Sequence, residues 1–384
     1  MNNTITVIDI EESGISLVTG YYLNGKEYIL SARHSSPLAL DPETHFFDAK
    51  QVKETLLERR NKRRESLSGG HFGATILLLP SEGFLSVDSK NGTTFVAGDR
   101  ISILDYNSCN LRIRKRCENN AGASIVSVIP FLFYADRTKY KTFPLGAKAR
   151  ELGIDSDVHR ISHTRDTYYK NRMAQVGTKP YLTFFSSYAR TNYRNSINCP
   201  ESYLNLDISE KECVLTYVDK GRLRMTAPIN NGGLGIDYFA YSASQELKIS
   251  KEYARELLET FGFSDLDGFP YQSDDPFTVP ERKKAFVKAL NPIVEFLQQT
   301  KISGIPLILT GEGSKLVGIK EELSRQTGLA TNVFSSPVIG AKDPCYLACL
   351  GAIHLASYAY QPTPAEGKNT QQQYDLGKDP LKRE

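Results

Sequence analysis

The sequence predicts an α/β protein with two lobes that share a duplicated strand pattern, and with a small α+β subdomain inserted in the first lobe. Three observations support this prediction. The chain has 384 residues, enough for two to three compact units. An opening series of three strands joined by short polar turns recurs after residue 200. Between the two copies, from about 84 to 163, the sequence changes to a helix, a long strand and polar loops.

The composition excludes several classes of protein. Lys and Arg number 47 against 44 Asp and Glu, and a net charge of +3 is too small to draw the whole protein onto nucleic acid. The basic end of a predicted helix, 59–64, is interpreted as solvated because no aromatic residues interleave its charges. The 18 Phe and 21 Tyr rule out a disordered chain. No apolar run reaches the roughly 18 residues that span a bilayer, and the first residues lack a signal-peptide pattern. We therefore expect a cytoplasmic protein.

The cysteines and histidines predict no zinc site. The six cysteines are scattered without a CxxC pair and are interpreted as buried thiols. Cys345 and Cys349 lie four apart in a predicted helix and would share one face. His159 and His163 are also four apart, but in a segment that we expect to be extended, where they would not form a helical metal clamp.

The first lobe begins with the first copy of the strand pattern. Strands are predicted at 5–10, 15–22 and 26–31, followed by a helix at 48–66 and a buried strand at 75–79. The insert then holds a polar stretch from about 84, a helix at 103–119, a strand at 124–134 and an extended segment at 157–163, and a stretch of helices and loops follows from 164 to 193.

The second copy repeats this order. Its predicted elements are strands at 203–208, 213–218 and 222–227, a helical segment at 229–300 that includes a helix at 250–261, a buried strand at 306–310, an amphipathic helix at 315–326 and a last helix at 345–358. In each copy an aspartate, Asp9 or Asp207, stands just before the first turn. We expect these two turns to face each other across a cleft between the lobes.

The domain boundaries follow from this series. They are 1–83 with 164–203 and 340–360 for the first lobe, 84–163 for the insert, 204–228 and 301–339 for the core of the second lobe, 229–300 for its helical subdomain, and 361–384 for a disordered tail.

Three segments carry a resemblance to a known superfamily. VIDI at 7–10 and NLDI at 205–208, each followed by a turn and a second strand, resemble the two phosphate loops of the actin-like ATPases. LILTGEGSKLVGI at 307–319 is similar to their adenosine motif. The inserted segment, with VIP at 128–130 and FPLG at 143–146, resembles that of the bacterial division protein FtsA. The resemblance covers 5–358 and implies a two-lobed actin-like fold, duplicated in the ribonuclease H-like manner.

The resemblance also implies a nucleotide site with altered loops. The residues that would contact ATP and its Mg²⁺, the metal through the two aspartates, are Asp9, Ser13, Asp207, Lys211, Gly311, Gly313 and Ser314. Phosphate loops need glycines so that amides can approach the phosphate oxygens, but Glu11 and Glu210 stand at those positions. A carboxylate about 5 Å from a phosphate costs about 3 kcal/mol at a dielectric constant of about 20. We therefore expect weak or absent ATP binding and no catalytic residue.

The function implied by the resemblance is that of an FtsA-like adaptor in bacterial cell division. Such a protein binds the C-terminal tail of the tubulin homologue FtsZ, through 229–300 and with Arg255 as a candidate contact, and self-associates head-to-tail at the division site beneath the membrane. The tail has no apolar face for a membrane helix. The alternatives are an active ATPase, or a kinase with Asp9 as base, and a pilus-assembly scaffold of the PilM type that binds a short peptide of a membrane protein.

Overall fold

A computed structural model describes residues 4–11, 14–23, 26–35, 48–66, 74–80, 84–118, 122–177, 180–191, 193, 200–231, 233–264 and 277–356. The chain forms two compact units, of which unit 1 is Met1–Tyr193 with Ala348–Glu384 and unit 2 is Arg194–Leu347. Ser13, one of the predicted nucleotide contacts, and the predicted tail at 361–384 lie outside the described residues. The finer division of each lobe stays a prediction.

Unit 1 contains a five-stranded sheet and, within the insert, a second sheet of four strands. Its elements are β1 (Ile5–Glu11), β2 (Gly14–Leu23), β3 (Lys26–Ser35), α1 (Ala49–Ser66), β4 (Ala74–Leu79), β5 (Phe84–Phe95), α2 (Ile103–Cys117), β6 (Ala123–Ala135), β7 (Thr138–Tyr140), β8 (Glu151–Ser162), α3 (His163–Val176), β9 (Leu182–Phe185) and α4 (Ser186–Thr191). The five-stranded sheet has the order β3-β2-β1-β4-β9, with β1 antiparallel to β2 and parallel to β4. Every residue of β4 is buried, as expected for a strand flanked by β1 and β9.

The insert is the α+β unit that the sequence predicts. Its strands have the order β5-β8-β6-β7, all antiparallel, and α2 packs on them. Ser102 caps α2 in a reciprocal capping box with Asp105, which fixes where the helix begins. The polar stretch that begins at 84 forms β5, a twelve-residue strand that the sequence analysis did not predict. Its buried positions carry Gly92 and Thr94 instead of large apolar residues, so the strand shows no apolar alternation.

Two further local predictions in unit 1 are corrected. His163 does not continue the extended segment but begins α3, because the Ser162 side chain accepts the Arg165 amide and caps the helix. The segment predicted as helices and loops also contains the strand β9. With four residues, β9 is too short to show a period, and it is recognised by its parallel pairing with β4.

Unit 2 repeats the sheet of unit 1. Its elements are β10 (Tyr203–Ile208), β11 (Cys213–Asp219), β12 (Arg222–Pro228), α5 (Ile236–Leu247), α6 (Lys251–Phe261), α7 (Val279–Gln299), β13 (Leu307–Thr310), α8 (Ile319–Thr327) and β14 (Thr331–Val333). The strand order β12-β11-β10-β13-β14 matches that of unit 1 position by position. Asp9 lies beside Leu78 of β4 and Asp207 beside Thr310 of β13, in parallel pairings. The predicted duplication is therefore confirmed, with both aspartates on the central strand near its carboxyl end.

The helical part of unit 2 packs through one apolar core. Phe239 of α5, Phe263 after α6 and Phe286 of α7 stack edge to face, with ring centroids 6.3 and 6.2 Å apart. Gly262 has φ of 54°, and a β-carbon there would lie 2.2 Å from the Val317 carbonyl oxygen. Glycine thus allows the end of α6 to contact the segment before α8.

Two helix boundaries late in the chain differ from the predictions. The helix predicted at 315–326 begins at Ile319, because 312–315 form a 3-10 turn and Gly318 has φ of 74°. The helix predicted from 345 begins as a 3-10 turn at Pro344–Tyr346 and continues as α9 (Leu347–Ala356), which returns the chain to unit 1. No helix among the described residues combines the length and the hydropathy needed to cross a membrane.

Candidate functional site

The turn between β10 and β11 is closed by its own hydrogen bonds. The Ser209 amide donates to the Glu212 carbonyl at 2.9 Å, and the Glu212 amide donates to Ser209 Oγ at 3.2 Å. The start of α5 covers the same turn. Its amides from Gly235 to Asp237 donate to the carbonyls of 209–211 at 2.9–3.1 Å. Helix N-terminal amides are ready anion donors, but here they are occupied by the chain itself.

Arg255 of α6 ties this turn to the helical part of unit 2. Its Nη1 and Nη2 lie 2.5 and 3.0 Å from the two carboxylate oxygens of Glu210, and its Nε lies 2.5 Å from Glu259 Oε1. The hydrogen bonds that the Arg255 guanidinium donates to Glu210 and then to Glu259 raise its pKa. A bidentate pair of this kind is among the stronger ionic contacts in proteins. The charge of Glu210 is therefore neutralised internally, and Arg255 is already engaged by carboxylates of the same chain.

The two duplicated aspartates are buried in hydrogen-bond networks. Asp207 accepts the Thr310 hydroxyl at 3.3 Å, and that hydroxyl in turn accepts an Asn205 amide hydrogen at 3.1 Å. In unit 1, Asp9 is 1% exposed and accepts the Ser186 hydroxyl at 2.6 Å. Buried carboxylates require such donors because desolvation penalises their charge.

The glycines after β13 serve a close backbone approach within unit 2. A β-carbon at Gly311 would lie 2.4 Å from the Ile208 carbonyl oxygen and 2.5 Å from Asp207 Oδ1, and one at Gly313 would lie 2.3 Å from the Ile208 side chain. The Ser314 hydroxyl donates to the Gly311 carbonyl at 2.6 Å. The two glycines and the serine are thus explained by the packing of the turn after β13 on β10.

A cluster of three side chains at the 3-10 turn 312–315 has the composition of a metal site. It consists of Glu312, Asp343 and Cys345. The Lys315 ammonium lies 2.8 Å from Glu312 and 2.9 Å from Asp343, so a cation of the protein already balances both carboxylates. This arrangement is explained as an ion-pair cluster.

Unit 1 contains a groove of about 870 Å³, within the usual volume range of ligand sites. It is lined by α2 and β6 of the insert, by α3, and by β4 and β9 of the five-stranded sheet. Tyr106, Asn110 and Arg114 are four residues apart and share one face of α2. Leu111 and Tyr181 line it as well and are 52% and 46% exposed, so large apolar side chains remain accessible at this groove.

Polar groups inside the groove lack hydrogen-bond partners. Ser127 is 4% exposed, and neither its Oγ nor Asn110 Oδ1 is hydrogen-bonded to any part of the chain that the structure describes. The Asn110 amide nitrogen donates to the Tyr106 hydroxyl at 3.4 Å, and burial raises the pKa of that tyrosine to about 12. Buried polar atoms without a partner are costly, and in a groove they indicate a place for a ligand.

The comparisons with known proteins bear on the fold alone. No family model matches the sequence, and no curated protein matches it. Among solved structures, a PilM–PilN complex of type IV pilus biogenesis matches with a TM-score of 0.56 and 14% identity over 92% of this chain and 98% of that one. The ethanolamine utilization protein EutJ of Carboxydothermus hydrogenoformans matches with a TM-score of 0.48 and 13% identity over 92% and 90%. An MreB protein of Spiroplasma citri bound to ADP has a TM-score of 0.48 and 10% identity over 91% and 95%.

The fold is that of the actin-like ATPases. The predicted fold class is thereby confirmed. An assignment to FtsA within this superfamily stays a prediction, as do the nucleotide contacts of Asp9, Asp207, Lys211, Gly311, Gly313 and Ser314.

The actin-like fold implies a bound nucleotide, and the described part of unit 2 fits one poorly. The amides of Ser209 and Glu212 and those at the start of α5 donate to the chain itself, and Glu210 and Arg255 are paired. The β-carbon side of Gly311 is filled by the Ile208 carbonyl and by Asp207 Oδ1, so no further group fits on that side.

A calorimetric titration with Mg-ATP tests this misfit. We expect a dissociation constant of about 1 mM or weaker, since about 4 kcal/mol of affinity separates millimolar from micromolar binding. Glu210→Gly should tighten binding measurably, because it removes a carboxylate and frees the turn. Micromolar affinity in the unsubstituted protein would contradict the misfit.

Sequence reasoning missed the groove. Its residues come from six elements that are far apart in the sequence, α9 among them through Leu355, and most are typical of any core. The one available signal was the stripe of Tyr106, Asn110 and Arg114 on α2, because a helix face toward a core is normally apolar throughout.

Proposed function

We propose that this protein is an actin-like assembly scaffold that binds a short, mostly apolar segment of a partner protein in the groove of unit 1, and that it does so without nucleotide turnover. The observation that carries the proposal is the groove itself, with exposed Leu111 and Tyr181 and buried unpaired polar atoms on Ser127 and Asn110. Together these fit a ligand with apolar side chains and a polar backbone.

The edge of β6 gives the proposal a binding mode. β7 pairs only with Phe133–Ala135 of β6, so the stretch from 123 to 130 is paired on one side, with β8, among the described strands. Six groove residues of β6 belong to this stretch, namely Ile125, Val126, Ser127, Val128, Ile129 and Pro130. An unpaired strand edge accepts an extended peptide through backbone hydrogen bonds.

The PilM–PilN complex supports the same class of function. It shows that a protein with this fold takes part in a two-protein complex of pilus biogenesis. We therefore favour the scaffold with a peptide partner over an active ATPase or a kinase, for which the closed turn of unit 2 provides no support.

Filling the groove tests the proposal. Ala174 lines the groove and is exposed, so Ala174→Trp adds a large side chain without a buried clash. Labelled peptides tiled across the PilN-type partner of the same genome should bind the full chain, as measured by fluorescence polarisation. The Trp variant should weaken that binding about tenfold or more, since overpacking costs about 1–3 kcal/mol.

The control is the neighbouring Gln175→Trp, an exposed position of α3 that does not line the groove. It should leave binding unchanged. If both variants behave alike, or if no peptide binds, the groove is not the docking site.

The FtsA-like adaptor is the second candidate. Its predicted site in 229–300 contains an exposed aromatic residue on α5, Tyr241, which is 54% exposed. Arg255 is paired with Glu210 and Glu259, so it would contact an acidic FtsZ tail only after one of these ion pairs is broken. A pull-down with an FtsZ tail peptide decides: retention that survives Ala174→Trp and is lost in Tyr241→Ala would favour this candidate. Head-to-tail self-association and a location at the division site belong to it and stay predictions.

A further inference from the structure

We propose that the groove of unit 1 selects a peptide segment that carries a carboxylate, and that Arg114 is the residue that recognises it. This inference rests on the proposed function, since it concerns the ligand of the same groove. It identifies the occupant as a partner segment with apolar side chains and one Asp or Glu.

Arg114 is the cation of α2 that lines the groove. It lies four residues after Asn110 and eight after Tyr106, on the same helix face. The neighbouring basic residues of this helix, Lys115 and Arg116, are exposed and do not line the groove. Arg114 is half-buried and lines the groove, so its guanidinium is partly removed from water.

Arg114 forms no ion pair and no hydrogen bond within the part of the chain that the structure describes. Burial lowers the pKa of its guanidinium, and the opposing electrostatic effects of Tyr106 and Glu118 are smaller than that of burial. Arginine that is removed from water normally has a carboxylate or carbonyl partner, because its donors must be satisfied. Here the described part of the chain supplies no such partner, and we expect it on the ligand.

The acidic residue of the groove does not supply this partner. Asp166 of α3 accepts a hydrogen bond from Lys170 at 2.7 Å, and the two form an ion pair one turn apart. Asp166 and Lys170 balance each other, and Arg114 leaves one positive charge uncompensated in the groove. Charge complementarity therefore favours an anionic group on the ligand.

The inference can be tested with an array of end-capped ten-residue peptides drawn from Leu, Ile, Val, Phe and Ser. The peptides are printed in pairs that differ only by Glu or Gln at one position, and they are probed with the full-length labelled protein. Among pairs that bind, the Glu member should be preferred about tenfold or more, since a hydrogen-bonded charged pair contributes on that order.

Matched variants assign the preference to one residue. Arg114→Gln should reduce the ratio of binding between the Glu and Gln members of a pair to about one. Arg116→Gln on the same helix should leave this ratio unchanged. Arg114→Glu should reverse the preference, so that peptides with Lys at the variable position are retained better than those with Glu.

The outcomes separate this inference from the proposed function. Peptides that bind equally well with Glu and Gln, and that Ala174→Trp still displaces, would overturn the inference while the groove stays a docking site. Binding that Ala174→Trp does not affect would overturn both. If peptides bind only after residues 361–384 are deleted, the occupant is the tail of this chain and the inference fails.

Discussion

Substitution of Gly351 by alanine is expected to destabilise unit 1 by about 4 kcal/mol, a large part of the 5–15 kcal/mol that holds a typical domain folded. Gly351 lies in α9, whose flanking residues Leu350 and Ala352 are fully buried. A β-carbon at this position would lie 1.7 Å from the carbonyl oxygen of Ala189 in α4 and 2.6 Å from its carbonyl carbon. Both are backbone atoms of a buried helix, so no side chain can rotate away.

The sign of this effect discriminates between two physical causes. Helix propensity alone would make alanine more favourable than glycine by about 1 kcal/mol, whereas the contact between α9 and α4 predicts a large loss. Urea unfolding, monitored by circular dichroism, measures the difference. Gly98→Ala is the matched control, because nothing lies within 4 Å of a β-carbon there and a change below about 0.5 kcal/mol is expected. Equal changes in the free energy of unfolding for the two variants would show that α9 and α4 do not approach closely at Gly351.

Acid is expected to weaken unit 1 through His159. This residue of β8 is fully buried, with its ring 4.3 Å from that of Tyr188 and 6.4 Å from that of Phe185. Burial lowers the pKa of His159 from 6.5 to about 3. Below pH 6.5 the unfolded chain binds a proton that the native protein does not, so stability falls as the pH falls. The loss is about 1.4 kcal/mol per pH unit once the pH is well below 6.5, or about 2.7 kcal/mol between pH 7.5 and 4.5.

The measurement is the free energy of unfolding in urea at pH 7.5 and 4.5 for the protein and for His159→Phe. Carboxylates also titrate in this window, and the difference between the two proteins isolates the histidine. His159→Phe should lose the additional acid sensitivity and keep an aromatic ring at the position. His163→Gln, at the exposed start of α3, should retain it. An unchanged pH dependence in His159→Phe would mean that this ring is protonated in the native state.

Much of the strand framework could be predicted from local sequence. β10 was predicted with both ends correct, and the recurrence of its pattern at β1 predicted two sheets of the same order, which the structure confirms. These strands are buried and apolar, so burial and sequence pattern agree. β5 was missed because its buried positions are Gly92 and Thr94, and glycine there is explained only by the Ile113 side chain, which would lie 2.6 Å from a β-carbon.

The candidate site, too, could be predicted only in part from the sequence. The replacement of glycines by Glu11 and Glu210 was visible in the sequence and predicted weak nucleotide binding. The sequence also placed Arg255 on a helix of the second lobe, but as a contact for a partner. The structure pairs it with Glu210, 45 residues away along the chain. No periodicity marks such a pair, because one polar side chain can meet another at any separation in sequence.

The sequence by itself determined the duplicated strands, the place of Asp9 and Asp207 near the ends of the central strands, and the position of the insert. These features depend on the local alternation of apolar residues and on turn residues, which act over a few positions. Only the tertiary structure decided that the turn at 209–212 is closed by α5 and Arg255. It also decided that α2, β6 and α3 line a groove in which Arg114 has no ion pair with any described residue. Both depend on the distances between segments far apart in the chain, and these distances are fixed by packing.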